Sequence, residues 1–217
     1  MNIEQARFNM IEQQIRTWEV LDPAVLDLLF EVKRENFVPP EHRPLAFADL
    51  EVPLGHGEAM MQPKVEARIL QEVAPRKHET ALEVGTGSGY FAALLAARSQ
   101  RVHTVEIDPE IKAFGEDNLR RAGVANVRVE LGDAAQGWIA HAPYDVIVLT
   151  GSTPVLAQSL LEQLKPGGRL FAIVGDPPVM EARLVRCLEP GAFQTIDLFE
   201  TCLASLKNAP QPRRFTF

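Results

Sequence analysis

Ala81-Leu82-Glu83-Val84-Gly85-Thr86-Gly87-Ser88-Gly89-Tyr90 joins an apolar strand to the start of a helical pattern through three alternating glycines. Glycine at such a turn allows a tight bend and lets a ligand lie against the backbone with no Cβ in the way. On either side the chain keeps the same rhythm. Strands are predicted at Thr80–Val84, Val102–Ile107, Val127–Glu130, Tyr144–Leu149 and Arg169–Val174, with helices at Tyr90–Ala97, Glu110–Ala122 and Val155–Leu164 between them. Strand–helix alternation at this spacing predicts an α/β fold, a doubly wound and mostly parallel sheet covered by helices on both faces.

The flanks differ from this centre. Met10, Ile11, Ile15 and Trp18 recur at helical spacing, and Pro23 opens a second helix carrying Val25, Leu26, Leu29 and Phe30. Residues 37–62, rich in proline and glycine, read as a structured loop, after which Pro63 begins a helix bearing Val65, Ile69, Leu70 and Val73. Beyond Pro178, Glu181–Leu188 and Phe193–Phe199 flank Glu189-Pro190-Gly191-Ala192 and read as a C-terminal antiparallel hairpin closing the sheet. The expected organisation is one domain over 1–217: an N-terminal helical extension (1–77), a ligand-binding core (78–175), and a hairpin and tail (176–217).

Composition narrows the function classes. The 217 residues carry 22 basic and 29 acidic side chains, a net charge of −7, and 46% are hydrophobic. That excludes a disordered tail or a disulfide scaffold and argues against nucleic-acid or membrane-surface partners, which call for clustered lysine and arginine. Cys187 and Cys202 are too few for a disulfide framework and lack metal-ligand spacing. The N-terminus shows no secretory pattern and no run is long enough to span a bilayer, so a cytoplasmic protein is expected. His42, His78, His103 and His141 share no spacing, and no metal site is expected.

The acids around the loop identify the ligand. Glu106 ends the second core strand 21 residues after Gly85, where a carboxylate accepts the hydroxyls of an adenosine ribose. Gly132-Asp133-Ala134 brings another carboxylate to the same sheet edge. The loop is G-x-G-x-G, and no G-x-x-x-x-G-K-[ST] occurs, which disfavours a dinucleotide and excludes a nucleoside-triphosphate loop. Carboxylates at Glu83, Glu106 and Asp133 suit a ligand with an ammonium, a sulfonium, ribose hydroxyls and an adenine amino group. S-adenosyl-L-methionine has all four.

Over residues 78–175 the motifs resemble those of the class I methyltransferases, with their Rossmann-like sheet. Met10-Ile11-Glu12-Gln13-Gln14-Ile15-Arg16, Glu35-Asn36-Phe37-Val38-Pro39, Ala46-Phe47-Ala48-Asp49 and Val52-Pro53-Leu54-Gly55-His56-Gly57 extend the likeness. With them the chain resembles the protein-L-isoaspartate O-methyltransferase family. The resemblance implies methyl transfer from S-adenosylmethionine to isoaspartyl carboxylates of damaged proteins, which initiates their repair. It puts Met60, Glu83, Gly85, Thr86, Gly87 and Gly89 along the methionine end and loop of the cofactor. It puts Glu106 at the ribose, Ile107 near the adenine, and Asp133 with Ala134 at the adenine edge.

Two departures lie on the acceptor side. The family serine beside the substrate carboxylate corresponds to Met61, which cannot donate a hydrogen bond. In place of the family's C-terminal Arg-Tyr/Phe-Val-Pro stretch stands Cys202-Leu203-Ala204-Ser205-Leu206-Lys207-Asn208. A serine restored at position 61 is therefore expected to raise isoaspartyl methylation. A carboxylate acceptor is already ionised at neutral pH and needs no base. An acceptor of high pKa would need one, and His56 and Glu58 are the nearest candidates. Lys64 and Arg68 share a helix face and could attract an acidic acceptor. Three alternatives stay open on the sequence: the same fold acting on another, possibly small-molecule acceptor; a non-catalytic cofactor-binding homologue; and, less favoured by the loop spacing, a nicotinamide oxidoreductase.

Overall fold

The computed structural model describes residues 2–212. Helix α1 (Ile3–Met10) is capped by the Asn2 side chain and continues through a π-type turn at Ile11–Ile15 and a 3-10 turn at Arg16–Trp18. Helix α2 (Pro23–Glu31) starts on an Asp22 cap with proline in its first turn, the preferred chemistry for that end. Its buried stripe is Val25, Leu28 and Leu29, so Phe30, expected on that face, turns toward solvent.

The segment expected as a loop over 37–62 contains a small hairpin, β1 (Val52–Gly55) and β2 (Glu58–Met60), with Val52 paired to Met60. His56 and Gly57 connect the strands at φ 56° and 80°. Positive φ at both central residues twists a two-residue connection to match its strands. A histidine there hides the signal, since asparagine or aspartate is the usual cue.

Helix α3 (Pro63–Val73) leads into the core: β3 (Thr80–Val84), α4 (Tyr90–Arg98), β4 (Arg101–Glu106), α5 (Pro109–Arg121), β5 (Val127–Leu131), β6 (Tyr144–Thr153), α6 (Gln158–Leu161) and β7 (Leu164–Asp176). The hairpin β8 (Val179–Glu189) and β9 (Ala192–Thr201) follows. The sheet order is β5-β4-β3-β6-β7-β8-β9, parallel through β7 and antiparallel beyond it. The expected α/β sheet and its terminal hairpin are therefore present.

Helical cover is unequal on the two faces. The helix expected over Val155–Leu164 is a single turn, because β6 runs on to Thr153 and pairs with β7 there. Pro154 follows at once and biases the preceding residue to extended backbone. Helices α3 and α4 and residues 10–38 pack on one face with Ala81, Val102 and Phe171, while Leu160 and Trp138 join Leu82, Val84 and Leu149 on the other. Between β4 and β6, which flank β3, the chain reverses its direction of travel across the sheet. Ligands of open α/β sheets bind outside the strand ends at such a point.

Candidate active site

At that point lies a cleft with about 880 Å³ of open space, part of it continuous with solvent. Its floor is Val84, Gly85, Gly87, Thr150 and Gly151. Glu106, Ile107, Asp133 and Ala134 form one end, and Leu54, Gly57–Ala59 and Leu203–Lys207 form the roof.

The glycine loop is held from both sides. Gly85 sits at φ 97°, and a Cβ there would come within 2.4 Å of the Thr150 hydroxyl. That hydroxyl lies 2.8 and 2.7 Å from the carbonyl oxygens of Val84 and Gly85, so it fastens the start of the loop to β6. Glu106 fastens the other side. Its Oε2 accepts from the Gly87 amide (3.0 Å), and its Oε1 from the amides of Ile107 (2.9 Å) and Asp108 (3.2 Å). A carboxylate has about four acceptor sites, so capacity remains for ribose hydroxyls. Asp133 accepts from the Ala135 amide (3.0 Å) and from Asn208 (2.8 Å), which ties the C-terminal segment to the turn after β5 at that end of the cleft.

Glu83 is placed differently from its loop neighbours. Its side chain is fully buried and does not line the cleft. Oε2 accepts from the Thr104 hydroxyl (2.5 Å), and Oε1 has no partner. Burial pushes its carboxyl well above the usual range, against the Thr104 hydrogen bond, and the nearby Glu106 and Glu66 carboxylates push the same way. Through Thr104, whose hydroxyl lies 2.7 Å from that of Thr86, Glu83 supports the loop from beneath. Glu106, Asp133 and the bare loop, which do line the cleft, fit S-adenosylmethionine.

The acceptor side holds the main surprises. Met60 and Met61 are both 4% exposed, packed in the hydrophobic core, and neither lines the cleft. What position 61 presents is its backbone: the Met61 carbonyl accepts from Arg34 Nη2 (2.7 Å). His56 stands at the tip of the β1–β2 hairpin, 2.9 Å from Asp108 and 3.1 Å from Glu110, and so pins the roof to the start of α5. Lys64 and Arg68, which could have attracted an acidic acceptor, are paired with Asp49 and with Glu19 and Glu72. Cys187 is buried and Cys202 exposed, and both are free thiols.

Three residues were not singled out by the sequence reading: Arg34, Thr150 and Lys207. No motif spacing marks them. Lys207 Nζ pairs with Glu58 Oε1 (2.9 Å) across the roof. Tertiary structure also gathers two histidines that share no spacing. His103 and His141 stack at 3.9 Å between centroids and both meet the Glu130 carboxylate. Imidazole lone pairs lie in the ring plane, and one ion does not sit in two nearly parallel planes. The trio instead anchors the turn at Ile139–His141 to β4 and β5. Burial, then the neighbouring His141, holds the His103 ring below its ordinary pKa.

A parallel sheet with this switch point, a G-x-G-x-G turn and acids at three successive strand ends define a class I methyltransferase. The profile of the protein-L-isoaspartate(D-aspartate) O-methyltransferase (PCMT) family matches residues 5–193. The chain is 39% identical over 201 residues to the protein-L-isoaspartate O-methyltransferase of Methanoculleus marisnigri, covering 92% of this chain and 90% of that one. The Gloeobacter violaceus protein of the same name is 39% identical over 184 residues, 85% of this chain and 90% of its own. A Plasmodium falciparum structure described as a putative protein-L-isoaspartate O-methyltransferase in complex with S-adenosyl-L-homocysteine superposes with a TM-score of 0.81. It covers 95% of this chain and 98% of that one at 18% identity, a likeness of fold. The chain belongs to the protein-L-isoaspartate O-methyltransferase family of S-adenosylmethionine-dependent enzymes.

Proposed function

We propose that this chain transfers a methyl group from S-adenosylmethionine to the free carboxylate of L-isoaspartyl residues in damaged proteins. The observation that carries the reading is the Glu106 clamp: one carboxylate holds the Gly87 amide and faces the cleft where a ribose belongs. Glu106 and Asp133 would hold the adenosine and the loop backbone the methionine end, with Glu83 supporting the loop from beneath through Thr104 and Thr86. When bound, the cofactor supplies a methyl carbon made electrophilic by an attached sulfonium.

The chain's own residues do the rest. The acids of the cleft complement a cationic ligand and lose that partner once the methyl has gone, which favours release of a neutral thioether. The hairpin roof, pinned through His56, and Leu203–Lys207 border the reacting line and position the acceptor against it. No base is required, since the acceptor oxygen is already anionic, and holding oxygen, carbon and sulfur in line at ~3 Å carries much of the rate. The fitting partner is a protein or peptide bearing an isoaspartyl residue. A reducing, cytoplasmic setting suits two free thiols. Among the described residues no helix is long and apolar enough to cross a membrane.

One observation favours a second reading. With Met61 turned into the core, no hydroxyl stands at the family's serine position, which suits an acceptor other than isoaspartate. Labelled methyl incorporation into an isoaspartyl peptide, against the normal aspartyl peptide, separates the two. Incorporation into the first alone is expected. Cofactor binding with no incorporation into either would sink the repair reading in favour of another acceptor.

A further inference from the structure

We infer that Lys207 determines acceptor specificity, its ammonium receiving the carboxylate that is to be methylated. The inference rests on the isoaspartyl reading above and adds the group that recognises the acceptor. The cleft is lined by four carboxylates, Glu51, Glu58, Glu106 and Asp133. Among the described lining residues Lys207 is the one cation. Among the described lining side chains, Nζ is the one charge that attracts an anionic acceptor.

The other polar groups near the cleft are engaged or absent. Position 61 presents no hydroxyl. The Thr150 hydroxyl is spent on the Val84 and Gly85 carbonyls, and Ser205 Oγ lies 3.2 Å from Ser152 Oγ. His56 is turned to Asp108 and Glu110.

Lys207 is also held in place. Ser152 donates its amide to the Ala204 carbonyl (2.9 Å) and its hydroxyl to that of Leu203 (2.8 Å), and accepts from the Leu206 amide (2.9 Å) at its own carbonyl. Leu206 packs on Gly151 so closely that a Cβ there would meet it at 2.8 Å. On the far side Asn208 donates to Asp133. The backbone that carries Lys207 is thus stapled to β6 and to the adenine end, while its side chain stays free to change partners. Its present partner, Glu58, is itself a carboxylate, and the pair is 41% and 35% exposed. Exposed pairs of this kind are weak. An acceptor carboxylate replaces Glu58 like for like, and Glu58 keeps the site occupied until then.

The test measures binding to the full chain saturated with S-adenosylhomocysteine, using an isoaspartyl peptide and the same peptide with the free carboxylate of its isoaspartyl residue amidated. Wild type should prefer the carboxylate by about 10-fold or more, the range of a hydrogen bond to a charged group. In Lys207→Ala that preference should collapse while homocysteine-product affinity stays within about 2-fold, and Lys207→Arg should restore most of it. Glu58→Gln should tighten peptide binding several-fold. A preference that survives Lys207→Ala, or peptide and cofactor-product affinities that fall together, would overturn the inference and leave Lys207 as a roof latch. Failure of wild type to bind the peptide overturns it too. Methyl incorporation measured on the same variants and peptides, with S-adenosylmethionine in place of the demethylated product, separates the two claims. Charge-selective binding without turnover sinks the repair reading alone, and turnover with an unchanged preference in Lys207→Ala sinks this inference alone.

Discussion

Arg34, buried in the core, donates to the carbonyl oxygen of Met61 at 2.7 Å. The same guanidinium reaches the Ala46 carbonyl (3.0 Å) and Glu66 Oε2 (3.0 Å). One side chain therefore ties the 3-10 turn Arg34–Asn36, the loop at Ala46, the acceptor-side strand end and α3 into one unit. The backbone next to the cleft is held from beneath, and the side chain at position 61 is drawn into the core with it.

That geometry reverses the expectation for Met61→Ser. The methionine fills core space, so truncation should cost about 2–4 kcal/mol of stability, as for other large-to-small core changes. The new hydroxyl would point into the core, and the specificity constant for an isoaspartyl peptide should not rise. Urea unfolding and steady-state kinetics check the two parts. A stable variant with clearly higher isoaspartyl activity would show that this side chain does reach the acceptor.

Glu66 makes stability depend on pH near neutrality. Burial pushes its carboxyl up to about 7, against the opposing pull of Arg34. Between about 4.5 and 7 the folded chain holds a proton that the unfolded chain has lost, so this group's contribution to stability falls as pH rises through that window. The loss is on the order of 1–3 kcal/mol. Glu66→Gln keeps the shape and the acceptor for Arg34 but does not titrate. The difference between wild-type and Glu66→Gln unfolding free energies should grow from pH 5 to pH 8, and a constant difference would contradict the assignment.

Glu106→Ala should weaken both S-adenosylmethionine and its demethylated product. Two charge-assisted hydrogen bonds to ribose hydroxyls contribute roughly 1.5–3 kcal/mol each before non-additivity. The variant also releases the Gly87, Ile107 and Asp108 amides, so the loop loosens as the ribose contacts go. Calorimetry on the folded variant reads the loss, and unchanged affinity would remove Glu106 from the site.

Gly85→Ala should abolish cofactor binding or the fold around it. The added methyl would collide with Thr150 at 2.4 Å in a backbone conformation that L-residues avoid. Gly123→Ala is the control, since its φ of 71° is similarly left-handed but nothing lies within 4 Å of the new Cβ. It should cost only about 1–2 kcal/mol of backbone strain. Equal losses in the two variants, by thermal unfolding and product binding, would mean that strain alone, not the approach of Thr150, makes position 85 need glycine.

Short-range rules made much of this protein readable from its sequence. Alternating strands and helices, the glycine turn, and Glu106 and Asp133 at successive strand ends follow from spacing, because each depends on residues close in the chain and on the fixed hand of parallel crossovers. The direction of a side chain in an irregular segment has no such periodicity. Nothing local says that Met61 turns inward, that Glu83 lies beneath the loop, or that His56 and Gly57 turn a hairpin. The single turn of α6 in place of a full helix was decided by β6 pairing onward with β7. Arg34 meets Met61, His103 stacks on His141, and Lys207 closes over Glu58 only once the sheet is assembled. These pairs are far apart in sequence, and packing of the whole chain, rather than the spacing of its residues, sets which of them meet.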